Sequence, residues 1–206
     1  MSYQSIDEHF DGAAPHPLLS WLNPPSRWQV DGSRSRLLIE ADAPTDFWQR
    51  THYGFRENTG HLLKAEISPK ATIAAEFECH PAHQYDQAGL MVWFSVDCWL
   101  KASVEYEPDG PGQLGAVATN AGYSDWSMQD FLREDGRFHY ALRIRREESD
   151  FFVEYRSTES EPWKLIRLCH LSPASGLPCL GGIYACSPKA AGFQAEVEYL
   201  KIDCTV

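Results

Sequence analysis

Residues 87–106 read Gln-Ala-Gly-Leu-Met-Val-Trp-Phe-Ser-Val-Asp-Cys-Trp-Leu-Lys-Ala-Ser-Val-Glu-Tyr, and this stretch decides the fold class. Leu90, Val92 and Phe94 alternate with Met91 and Trp93, and Leu100, Ala102, Val104 and Tyr106 alternate with Lys101, Ser103 and Glu105. A period of two belongs to extended chain, whose successive side chains leave opposite faces. Read as one hairpin with Leu90, Val92 and Phe94 on the same face as Leu100, Ala102 and Val104, the register sets Gly89 roughly opposite Glu105 and Trp93 opposite Lys101. The other face then gathers Gln87, Met91, Trp93, Trp99, Lys101 and Glu105, with a glycine beside the carboxylate where a ligand can approach closely.

The same period recurs on both sides of this hairpin. Ile73, Ala75, Phe77 and Cys79 alternate with Ala74, Glu76 and Glu78, the pattern of a strand with one face on a core. Further runs cover 36–41, 113–119, 138–145, 151–156, 163–169 and 181–186. At the end of the chain Ala195, Val197 and Tyr199 hold one parity and Leu200, Ile202 and Cys204 the other, which a β-bulge near Tyr199 would produce. Turn signals such as Pro108-Asp109-Gly110-Pro111-Gly112 and Asp135-Gly136 separate the runs, and no long segment carries helical spacing. The expected class is all-β, an antiparallel two-sheet β-sandwich of jelly-roll type. Residues 21–28 contain Asn23-Pro24-Pro25 and are expected to cover a sheet edge, because consecutive prolines remove ladder donors.

The 206 residues suit one sandwich domain spanning 1–206, with no repeat or linker to divide them. With 29 acidic against 18 basic residues, the net charge of -11 repels a phosphate backbone, so nucleic acid is not an expected partner. No stretch approaches the roughly 20 apolar residues of a membrane-spanning helix, and the first residues are polar and acidic rather than signal-like. The expected location is cytoplasmic, without membrane contact. Six cysteines (Cys79, Cys98, Cys169, Cys179, Cys186, Cys204) form no Cys-x-x-Cys pair and read as reduced thiols, mostly in the core.

Several polar-aromatic clusters stand out from the strand pattern: Thr45-Asp46-Phe47-Trp48 with Thr51-His52-Tyr53-Gly54-Phe55, Tyr85-Asp86-Gln87-Ala88-Gly89-Leu90, and Asn120-Ala121-Gly122-Tyr123-Ser124-Asp125-Trp126. With Trp99-Leu100-Lys101 and Tyr184-Ala185-Cys186-Ser187-Pro188 they make the chain, from Trp21 to Phe193, resemble the DUF1349 family of regulation-of-enolase type, a family of unknown function in the concanavalin A-like lectin/glucanase superfamily. The resemblance implies a jelly roll with one concave sheet, a scaffold that hosts lectins, glycan-binding modules and glycoside hydrolases. It supplies no reaction. The Glu-x-Asp-x-Glu strand of laminarinase-like hydrolases is absent, and the nearest approach, Glu105-Tyr106-Glu107-Pro108-Asp109, has the wrong order and runs into a proline turn.

Stacking aromatics and converging hydrogen-bonding groups suit a sugar, whose C–H faces stack while its hydroxyls seek donors and acceptors. The expected ligand is therefore a small saccharide or glycoside, contacted by Asp46, Trp48, His52, Tyr53, Gln87, Trp99, Lys101, Asn120, Tyr123 and Trp126. Glu105 is the first candidate for catalysis, with Asp86 or Asp125 as a second carboxylate in general acid–base or nucleophilic roles. The structural alternative is that Asp86 and Asp125 fix loops through backbone hydrogen bonds. His61, after the Asn58-Thr59-Gly60 turn, reads as a surface residue. His80, His83 and Asp86 have ligand types but lack a fourth partner, so no metal site is assigned there, while an oxygen-rich calcium loop stays open. No cofactor motif occurs. The alternative function is a regulatory module that binds a protein partner through exposed aromatics, without catalysis. Thiol titration of the denatured protein, purified from a cytoplasm, should count six free thiols; a stable disulfide would overturn the compartment reading.

Overall fold

The structure, a computed structural model, describes residues 3–132, 135–174 and 177–205. Along these residues run β1 (Ile6–Glu8), β2 (Ser20–Leu22), β3 (Arg27–Asp31), β4 (Arg36–Glu40), β5 (Phe47–Gln49), β6 (Arg56–Asn58), β7 (His61–Glu66), β8 (Lys70–His80) and β9 (Gln87–Ser95). They continue with β10 (Cys98–Glu105), β11 (Gly112–Asn120), β12 (Tyr123–Phe131), β13 (Phe138–Glu147), β14 (Asp150–Arg156), β15 (Lys164–His170), β16 (Leu180–Cys186) and β17 (Gln194–Thr205). Among the described residues there is no helix, and hence none long and apolar enough to cross a membrane.

Two antiparallel sheets carry the architecture, as the alternation anticipates. One has the order β15-β14-β13-β8-β17-β4-β3, with β1 also paired to β17; the other has the order β12-β11-β10-β9-β16-β7-β2. The inward parity of each strand meets in a shared core: Ile73, Ala75, Phe77 and Cys79 from the first sheet, Leu90, Val92, Leu100, Ala102 and Val104 from the second. The segment 21–28 forms edge strand at both ends rather than covering an edge, with Trp21 and Leu22 in β2 and Arg27 and Trp28 in β3. Pro24 and Pro25 lie between β2, an edge strand of one sheet, and β3, an edge strand of the other. The ladder of β17 with β8 shifts between Val197 and Tyr199, so the bulge lies where the parity change placed it.

Three local expectations are corrected. The β9–β10 hairpin keeps the expected faces but is displaced by two residues: Gln87 pairs with Glu105, Gly89 with Ser103, Met91 with Lys101 and Trp93 with Trp99. The cause is a short turn, since Ser95 already pairs with Cys98 and a bulge follows between Cys98 and Trp99. Gly89 is crowded by its own sheet rather than by a ligand, because a Cβ there would meet the Ala102 carbonyl oxygen at 1.9 Å. The segment Tyr123-Ser124-Asp125-Trp126 is strand, not loop. Ala121 and Gly122 both have positive φ, 49° and 73°, which reverses the chain within two residues and lets β12 pair with β11 at once.

The second sheet is apolar on its outward face as well. Met91, Trp93, Trp99, Val117, Tyr184 and Cys186 form a second cluster there with Phe47 and Trp48 of the β5–β6 hairpin. This hairpin lies over the outward face as a two-stranded sheet of its own. Leu100, fully buried between the sheets, is a direct probe of the shared core. Leu100→Ala should lower unfolding free energy in urea by about 2–5 kcal/mol.

Candidate functional site

The hairpin that covers the second cluster also makes one wall of a groove. Phe47 anchors it, its ring centroid 5.6 Å from Trp93, 6.2 Å from Trp99 and 6.3 Å from Tyr184. Polar ties hold the hairpin in place: Gln49 N–H donates to Ser124 Oγ at 2.9 Å, Ser187 N–H to Thr45 Oγ1 at 3.0 Å, and Arg56 to Asp97 at 2.7 Å. Beside it a cavity of about 620 Å³ opens, floored by Gln87, Lys101 and Glu105 and walled by Trp48, Tyr53, Phe55, Tyr85 and Trp126. Trp48 meets Trp126 edge-on at 6.5 Å and Tyr53 at 5.5 Å, and Tyr53 stacks on Phe55 at 5.9 Å, so the aromatic wall is continuous.

The floor is a buried polar array on the outward parity of β9 and β10. Lys101 is 2% exposed and Glu105 8%. The Lys101 ammonium donates to Gln87 Oε1 at 2.8 Å and Asp46 Oδ1 at 3.4 Å, lies 3.9 Å from Glu105 Oε1, and sits 5.8 Å from the centre of the Tyr184 ring. Tyr184 also donates to Gln87 Oε1 at 2.9 Å, and Gln87 Nε2 donates to the Tyr85 carbonyl at 3.0 Å, which fixes the amide's orientation. Burial pulls the ammonium toward neutrality, but Asp46 and Glu105 outweigh it and hold its pKa above the ordinary lysine value. Burial likewise pushes the Glu105 carboxyl up to about 7, against the pull of Lys101 and with added repulsion from Asp46 and Glu107. A carboxyl poised there can both give and take a proton near neutral pH.

Of the residues nominated from sequence, Asp46, Trp48, Tyr53, Gln87, Lys101, Glu105 and Trp126 come together in this groove. The others have different places. Trp99 is fully buried beneath Phe47 and donates to the Val96 carbonyl, so it supports the floor without reaching the cavity. His52, exposed and at φ 61°, packs its ring on Tyr53 outside the lining. Tyr123 is 59% exposed beneath the Arg50 guanidinium at the start of β12. Asn120 donates to the His170 carbonyl and accepts from Ser172 N–H, tying the end of β11 to the segment after β15.

Neither proposed partner carboxylate stands with Glu105 in the lining. Asp86 is buried, with its carboxylate taken by the N–H groups of Ala82 and His83 and by the Ser187 hydroxyl, the loop-fixing alternative. The same contacts occupy the carboxylate that His80 and His83 would need for a shared ion. Asp125 pairs with Ala118, a core-facing position of β11, and its carboxylate meets Arg167 of the other sheet at 3.0 Å. The carboxylate that joins Glu105 at the Lys101 ammonium is Asp46, brought in by the hairpin. His61 is buried rather than surface: its Nδ1–H donates to the Asn23 carbonyl and its Nε2 accepts from Asp42 N–H, bracing the approach to the hairpin. Sequence reasoning passed over Phe55, Glu57, Tyr85 and Lys189, which also line the groove. Phe55 and Tyr85 lie inside the quoted clusters, and that clustering was the available signal.

Residues 21–204 match the family described as Protein of unknown function (DUF1349). The chain belongs to this family. It is 33% identical over 175 residues to Regulation of enolase protein 1 of Saccharomyces cerevisiae, covering 85% of this chain and 84% of that one. A crystal structure of a functionally unknown protein from Saccharomyces cerevisiae superposes with a TM-score of 0.81 at 29% identity, over 92% of this chain and 97% of that one. A xylan beta-1,4-xylosidase from Bacillus halodurans C-125 superposes with a TM-score of 0.77 at 12% identity, over 98% of this chain but 40% of that one, a likeness of fold alone.

Glu105 also leaves a thermodynamic mark. Its folded-state value of about 7 lies above the ordinary 4.5, so the fold favours the protonated form. The resulting stabilisation is full below about pH 4.5 and is lost as pH rises through about 7. Urea titrations between about pH 5 and pH 8 should therefore show the native chain losing stability relative to Glu105→Gln as pH rises. A constant difference would mean that Glu105 titrates normally.

Proposed function

We propose that the groove binds a saccharide or glycoside, with the aromatic wall of Trp48, Tyr53, Phe55 and Trp126 stacking on sugar faces and the floor groups bonding hydroxyls. The observation that carries this reading is the Gln87–Lys101–Asp46–Glu105 array, buried yet open to the cavity on one side. A buried ammonium between an amide and two carboxylates presents donors and acceptors in fixed places, as recognition of a polyhydroxyl ligand requires. The fold shared with a xylosidase agrees with this, although that enzyme's substrate is its own. Asp46 and Glu105 flank the ammonium as a pair of carboxylates, the arrangement that a hydrolytic step would draw on. The six unpaired cysteines suit a reducing compartment such as the cytoplasm.

A second reading, a protein-binding regulatory module, draws on the yeast relative's name and on Tyr53 and Phe55, which are 53% and 43% exposed at the rim. A concave groove of about 620 Å³ with converging polar groups favours the small ligand over a flat partner surface.

Thermal shift against a panel of mono- and oligosaccharides tests the choice, since a ligand that binds only the folded chain raises its melting temperature. A saturable shift is expected from one sugar class and should vanish in Trp126→Ala and Glu105→Ala. Glu105→Gln then separates roles: turnover lost with binding kept assigns catalysis to Glu105. No shift across the panel would sink the saccharide reading and leave the protein partner.

A further inference from the structure

The outward face of the eight-stranded sheet, on the opposite side of the molecule from the groove, carries a cluster of different chemistry. Among the described residues, Glu76 on β8, His139 on β13 and Glu198 on β17 form one group whose ligand atoms all lie within 4.8 Å of one another. His139 Nε2 is 3.1 Å from Glu76 Oε1 and 3.6 Å from Glu198 Oε1. Metal–ligand bonds of about 2.0–2.2 Å in a tetrahedron leave ligand atoms roughly 3.3–3.6 Å apart, so both spacings fit around one ion with small rotations.

The backbone contributes independently. Val197 pairs with Phe77 and Tyr199 with Glu76, which makes Glu198 the extra residue of the β17 bulge. Bulges re-aim side chains, and this one sets Glu198 beside Tyr199 on the outward face, next to Glu76. Two carboxylates thus stand together in the middle of a sheet. Arg36 donates to Glu198 Oε1 at 2.8 Å, a contact that orients the carboxylate as outer-sphere partners of metal ligands do.

The neighbouring set on the same face differs. His80 lies 3.5 Å from Glu78 and 3.7 Å from Glu196, and both of these carboxylates are paired with an arginine, Arg137 and Arg34, whereas in the first cluster Glu198 is so paired with Arg36 and, among the described residues, Glu76 has its ion pair with His139.

We propose that Glu76, His139 and Glu198 bind a first-row divalent cation, zinc foremost, and that the ion staples β8, β13 and β17 together. One imidazole and two carboxylates suit zinc better than calcium, which prefers oxygen alone. The side chain of His139 is 44% exposed, so water can complete the coordination from the solvent side.

Cobalt(II) is the direct probe, added to the full chain after chelation and dialysis. A visible d–d band of low-coordinate cobalt should appear, zinc should displace it, and zinc should raise the melting temperature saturably. His139→Ala and Glu198→Gln should each abolish the band and the shift, with folding checked by circular dichroism, whereas His80→Ala should keep both. No band, a band with thiolate charge transfer, or a band that survives in both cluster variants would overturn the assignment, the last two by moving the metal to cysteines or to other histidines.

Discussion

A sheet that is apolar on both faces cannot leave one of them in water, and this constraint shapes the molecule. The seven-stranded sheet buries Leu90, Val92, Leu100 and Val104 against its partner sheet, yet Met91, Trp93, Trp99 and Tyr184 crowd the reverse side. The β5–β6 hairpin lies over them, with Phe47 at its centre. The hairpin is short, and its cover stops where the outward parity turns from aromatic to polar, at Gln87, Lys101 and Glu105. The groove is the uncovered remainder of a face that is otherwise packed.

That boundary explains the electrostatics of the floor. Lys101 stands one strand position from an apolar cluster and is withdrawn from water, which disfavours a lone ammonium. Asp46 offsets this because it immediately precedes Phe47, so the residue that anchors the hairpin also delivers the counter-charge. Glu105, two outward positions further along β10, shares the same burial with a weaker claim on the ammonium, 3.9 Å away against 3.4 Å for Asp46. Its carboxyl is consequently the group whose proton is loosely decided near neutral pH. Stability of the hairpin and chemistry of the groove are therefore two aspects of one packing arrangement.

Much of this was legible from parity alone. The opposite faces of β9 and β10, the inward row of β8 and the bulge of β17 follow from alternation, since a strand's geometry assigns each side chain to a face without reference to the rest of the chain. Closeness in sequence is a poorer guide than parity. Asn120, Tyr123, Asp125 and Trp126 are near neighbours in the chain, yet Asp125 pairs with a core-facing position and reaches the other sheet, while Trp126 lines the groove. The two-residue slip between β9 and β10 has a similar origin: parity survives a shift of two, so alternation fixes the face but leaves the register to the turn.

The sequence by itself determined the class of fold, the faces of its longer strands and the membership of a polar-aromatic set containing Gln87, Lys101 and Glu105. Tertiary structure alone decided which members meet. Asp46 reaches Lys101 across 55 residues, and Ser187 reaches Asp86 across 101, distances over which no local pattern carries information. The physical reason is that backbone alternation is set within a few residues, whereas burial, and with it the choice between a structural aspartate at 86 and a groove carboxylate at 46, is set by whatever distant segment comes to lie on top.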